Sequence, residues 1–163
     1  MTNNDDFWGG ILLGGLMGAG LASPKPEEKQ ELQQYRATQQ QLLARKQRIG
    51  DLSILDKLRQ KPSSFNLFVE SCNMFIYGFF RGACVFSVAV IENLLREKYN
   101  EDNFKILIDK AKEDNLIQQT EEHYLNGLRL DRNAFVHDAS REITENESLM
   151  IIHLAMRIMG KIL

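Results

Sequence analysis

The residues best suited to chemistry lie in one short run, Arg132-Asn133-Ala134-Phe135-Val136-His137. On a helix, Leu125, Leu128, Phe135 and Ala139 form a core-facing heptad stripe, and position 132 falls on the same stripe. An arginine thus stands where a leucine is expected. A buried cation without a partner is costly, so Arg132 must snorkel, pair with a carboxylate or line a cleft. Asn133 and His137 are four apart and share a neighbouring face, about 100° round from Arg132. A guanidinium, an amide and an imidazole converging there suit phosphate chemistry. The arginine holds phosphoryl oxygens and their transition-state charge, the imidazole moves a proton near neutral pH, and the amide orients either. If the substrate is RNA, its own 2′-hydroxyl is the nucleophile and no metal is required. The sequence holds no P-loop, HExxH, GxSxG or GxGxxG motif and no metal-ligand cluster, so neither a metal nor a cofactor is expected. His123 and His153 read as isolated surface residues.

The elements that must position this run follow from composition and charge. With 163 residues and 44% hydrophobic content, the chain can bury one ordinary core, which excludes a fully disordered protein. A net charge of −2 excludes a polycation that coats nucleic acid or membrane over its whole surface. Cys72 and Cys84 form no CxxC pair and are too few for a secreted disulfide framework, so a reducing cytoplasmic setting is expected. The near-neutral total hides three segments. Residues 1–26 carry −1 and form a glycine-rich apolar tail. Residues 27–61, with eight basic side chains against five acidic, form a basic helical arm or linker. Residues 62–163, with eleven against fifteen, form an acidic bundle.

Within the tail, Phe7 to Ala22 is an uncharged run of 16 residues. As a helix it would reach about 24 Å, short of the roughly 30 Å bilayer core. Gly10, Gly14, Gly18 and Ala22 recur every fourth residue, a small-residue stripe on which a membrane or a partner helix could pack. A flexible tail is the other reading, because glycine is a poor helix former in water. The arm, Glu27 to about Arg48, contains strong helix formers with sparse apolar residues. It reads as a solvated spacer, with RNA affinity or coiled-coil docking as the alternatives. Gly50 and Asp51 mark a stop and a new cap before a short helix from Leu52 to Gln60.

From Ser63 the pattern is that of an all-α bundle with four main helices and one short one. Residues 65–77 form the first helix. Residues 79–99 form the second, apolar nearly all round from Ala83 to Ile91 and therefore central. Asp102 or Asn103 caps the short helix, which runs through Glu113. Thr120 opens the helix bearing the Arg132 run, and Glu145 to Leu163 closes the bundle.

The R-N-x-x-x-H spacing late on the penultimate helix resembles the HEPN superfamily. The stretch YGFFRGACVFSVAVIENLLREKY, a short helix and then LRLDRNAFVHD is similar to its DUF4145 branch, over residues 65 to 163. The resemblance implies a HEPN-like bundle that forms a homodimer with two motifs facing a shared cleft. It also implies metal-independent ribonuclease activity of a toxin or of a defence or stress effector, with an antitoxin or regulatory protein as partner. Arg132 and His137 would be the catalytic residues and Asn133 the polar residue between them. Glu92, the first charge after the apolar run of the central helix, is a supporting candidate expected to pair with Arg132. The alternative is a non-catalytic dimerisation or binding module tethered to a membrane or partner by its tail.

Overall fold

The computed structural model describes residues 26–137 and 142–163, with the backbone alone at Glu28 and over residues 131–137. The glycine-rich run Phe7–Ala22, with Gly10, Gly14, Gly18 and Ala22, lies outside the described residues. All regular structure among the described residues is helical: α1 (Pro26–Ile49), α2 (Ile54–Leu58), α3 (Pro62–Ile76), α4 (Phe80–Tyr99), α5 (Phe104–Glu113), α6 (Gln119–His137) and α7 (Glu145–Ile162). No described helix is long and apolar enough to cross a membrane. The chain divides into two compact units at Arg36/Ala37. The smaller contributes the first turns of α1, where Leu32 and Tyr35 are exposed.

In the larger unit the helix ends are written by identifiable residues. Gly50, at φ +82, ends α1 in a backbone conformation that costs a glycine nothing. Pro62 sits in the first turn of α3, where its missing N–H is not needed. Asn100 closes α4 in the left-handed region. The Asn103 side chain accepts from the Lys105 and Ile106 amides to start α5. Thr144 and Glu147 form a reciprocal capping box at the start of α7.

Helix α4 is the centre of the unit and packs on α3, α5, α6 and α7. This is the position its all-round apolar stretch predicts: Ala83, Cys84, Val88, Val90, Ile91, Leu94 and Leu95 are all buried. Phe68 and Phe75 from α3, Leu107 and Ile108 from α5, Leu125 from α6, and Ile152 and Ile158 from α7 complete the core. Ser71 donates to the Ala83 carbonyl at 2.7 Å. Its single hydrogen is thereby used, so Ser87 donates to Ser71 Oγ at 2.7 Å, and this buried hydroxyl pair between α3 and α4 is satisfied. Burial pushes the Cys72 thiol up to about 12, which removes it as a nucleophile at neutral pH.

The segment between α1 and α3 belongs to the same compact unit as the bundle, because Ile49, Leu52, Leu55 and Leu58 are buried. Arg45 fastens the end of α1. Its guanidinium donates to Glu145 Oε2 at 3.1 Å and to the Ile76 carbonyl at 3.3 Å, and lies 5.1 Å from the centroid of the Phe80 ring. Arg48 pairs with Glu145 and donates to Asn146. At the same place Gly78 is at φ +86, and a Cβ there would come within 3.0 Å of Arg45 Nη1. Since a hydrogen bond to a charged group contributes about 1.5–3 kcal/mol, Arg45→Ala is expected to lower stability by about 2 kcal/mol in urea unfolding. Arg45→Lys recovers only part, because an ammonium cannot span three partners.

Candidate functional site

Helix α6 begins with a carboxylate lock. Glu121, 2% exposed, accepts from the Gln118 amide at 2.7 Å and pairs with Lys161 at 2.7 Å and Arg157 at 2.9 Å, both on α7. Burial raises its pKa, but the Gln118 amide and the two cations outweigh that and hold the carboxyl below its ordinary 4.5. A depressed carboxyl stabilises the fold above its unfolded pKa and ceases to do so as pH falls through the folded value. Glu121→Gln is therefore expected to cost about 1–2 kcal/mol at pH 7, reduced from the fully buried case because Arg157 is well exposed. The cost should shrink as pH falls below 4.5 and through the folded carboxyl's lower value. Urea titrations of both proteins over a series of falling pH values check this.

The lock fixes direction. Glu121 near the start of α6 meets Lys161 near the end of α7, so the two helices run antiparallel. Sixteen residues separate Glu121 from His137 and sixteen separate Lys161 from Glu145, about 24 Å along each helix. Glu145, at the start of α7, lies at the opposite end of that helix from Lys161. At that end Ser148 Oγ donates to the Phe80 carbonyl at 3.2 Å, and Glu145 receives Arg45 and Arg48.

Leu125 and Leu128 are buried on α6, as the stripe predicts, and Arg132 is the next position on that stripe. The helix continues unbroken through Arg132, Asn133 and His137, so all three keep helical register. Their side chains, with those of Phe135 and Ala139, lie outside the described residues. Glu92 is 8% exposed on α4, and its Oε1 accepts from Arg96 Nη2 at 3.0 Å. Arg96 also pairs with Asp102 at 3.1 Å, so this carboxylate's described partner lies on its own helix. The expected Glu92–Arg132 pair involves a side chain outside the described residues.

The structure adds a groove of about 880 Å³ between α6 and α7, in which His123, Tyr124, Met150, His153 and Arg157 are brought together. The histidines that read as isolated thus share one hollow. His153 Nε2 donates to the Ile49 carbonyl at 3.1 Å, since a carbonyl oxygen can only accept. A signal for the groove exists in the sequence: Thr120, His123, Tyr124 and Gly127 stand at i, i+3, i+4, i+7, and Glu147, Met150, Ile151 and Leu154 repeat the spacing on α7. These second stripes are masked by the stronger core-facing ones. Compared with protein-family models, curated proteins and solved structures, the chain matches none.

Proposed function

We propose that this chain is a metal-independent endoribonuclease of the HEPN type. The observation that supports it is the unbroken run of α6 through Arg132, Asn133 and His137. Helical register there keeps an arginine, an amide and an imidazole on adjacent faces of one turn and a half. In the proposed reaction His137 takes the proton from the RNA 2′-hydroxyl, whose oxygen attacks the neighbouring phosphorus. The bond to the 5′-oxygen breaks, and that oxygen is protonated by the His137 of a second copy in a homodimer. Arg132 holds the charge that develops on the phosphoryl oxygens, and Asn133 orients the phosphate. Products are a 2′,3′-cyclic phosphate and a 5′-hydroxyl, so atoms and charge balance without a co-reactant.

The test is incubation of the purified chain with end-labelled RNA in EDTA, beside the same oligonucleotide carrying 2′-deoxyriboses. Cleavage of the first and not the second is expected. A non-catalytic binding module is the reading that the α6–α7 groove favours, and it gives no cleavage of either strand.

A further inference from the structure

Arg129 lies on α6 one turn before the Arg132 run and is half-buried. Its Nε is enclosed by the fold and has no hydrogen-bond partner among the described residues. A guanidinium held in this way is ordinarily satisfied by an anion, because a buried N–H left unpaired is costly. Arg45 and Arg96, also partly buried, show the usual solution: the first meets Glu145 and the second Glu92. The helix around Arg129 offers no such carboxylate. Its neighbours three and four residues away are Leu125, Asn126, Arg132 and Asn133. Position 132 is itself a cation, and like charges one turn apart on a helix repel until an anion lies between them.

We propose that Arg129 binds the phosphate next to the scissile one, so that the RNA backbone runs from the Arg132 run along α6 toward the start of the helix. This deepens the ribonuclease reading and rests on it. Helical register carries the argument, because α6 is unbroken from Gln119 to His137. Viewed down the axis, position 129 falls between the two faces of the motif, about 60° from position 132 and about 40° from position 133. Along the axis it stands about 4.5 Å before the first and about 6 Å before the second, the scale of one nucleotide step. A phosphate there meets a planar fork that can grip two of its oxygens, and it separates two like charges. Part of Arg129 stays in solvent, so the anion can reach it.

Binding and cleavage both read the contact. In titrations with an RNA oligonucleotide over a series of KCl concentrations, the slope of log Kd against log [KCl] should be about 0.7 smaller for Arg129→Gln than for the wild type, the share of one phosphate. Arg129→Lys keeps the charge and should keep the slope. In cleavage assays Arg129→Gln should raise KM about 5–20-fold, the loss falling on KM rather than kcat. A neutral methylphosphonate beside the mapped cleavage site, placed on the 5′ side and then on the 3′ side, should at one of the two raise the wild-type KM by a similar factor. At that position it should leave the KM of Arg129→Gln unchanged, since the contact is already lost. Circular dichroism matched to the wild type checks that both variants fold. An unchanged salt slope in Arg129→Gln, or methylphosphonate effects that add fully to the variant's at both positions, overturns the inference and leaves the ribonuclease reading standing. A wild type that binds RNA without cleaving it ends the ribonuclease reading, while the salt slopes still decide whether Arg129 meets a phosphate. A wild type that does neither ends both.

Discussion

Arg132→Ala and His137→Ala are each expected to reduce RNA cleavage in EDTA by about 10²–10⁴-fold, the largest functional effects the account predicts. The two losses have different origins. Without the imidazole the 2′-hydroxyl keeps its proton, and solvent must remove it. Without the guanidinium the phosphoryl oxygens carry their extra charge facing no fixed cation. Because both act in one transition state, the double variant should be little worse than the poorer single one. Arg132→Lys should stay impaired, since a lysine supplies charge but not the planar fork that grips two oxygens. Asn133→Ala should lose less, about tenfold, because it orients and neither bears charge nor moves a proton. Circular dichroism of each variant, matched to the wild type, separates lost chemistry from lost fold. Equal cleavage by wild type and both single variants removes these residues from the mechanism.

The largest expected effect on stability is that of Phe75→Ala, about 3–5 kcal/mol. Phe75 is fully buried on α3, and its ring packs at 5.7 Å and a 53° tilt against Phe80 at the start of α4. Beyond the Phe80 ring stands the Arg45 guanidinium, and the Phe75 carbonyl itself receives the Gly78 amide of the Schellman turn. Truncation therefore leaves a cavity where α3, α4 and the end of α1 meet. For a chain of this length the loss corresponds to about 6–20 °C in Tm. Phe79→Ala, four residues on, should change stability by under about 0.5 kcal/mol, because its ring is mostly in solvent. Thermal unfolding of the pair followed side by side checks both values, and similar shifts for the two variants would contradict the burial pattern.

Much of the fold is legible because it is local. The break at Gly50, the cap at Asn103, the extent of α5 to Glu113 and the start of α7 at Glu145 are set by residues acting on their own backbone. The centrality of α4 is legible for a related reason: a helix apolar on all sides can only be surrounded. The seven helices among the described residues include the expected four long elements and one short one after residue 61. The attachment of the α1–α2 segment was harder to read. The helix up to Arg48 is sparse in apolar residues, while the groups that fasten it are Arg45, the Ile49 carbonyl and His153, one of them polar backbone and two polar side chains up to about a hundred residues apart. Pairings over such separations leave no periodic trace. Glu121 illustrates the same limit. Sequence identifies it as a favourable first-turn acid, whereas its main partners come from α7.

The candidate site divides in the same way. Arg132, Asn133 and His137 stand out because an arginine interrupts an apolar stripe, and the helix does run through all three. His123 and His153 do not stand out in the same way, because the groove they share is formed only when α6 and α7 come together.

End-group analysis of the RNA products tests the central claim most directly. Wild-type protein in EDTA should leave 2′,3′-cyclic phosphate on the upstream fragment and 5′-hydroxyl on the downstream one. Intact RNA, or fragments ending in 3′-hydroxyl and 5′-phosphate, would contradict attack by the 2′-hydroxyl and with it the roles assigned to Arg132 and His137.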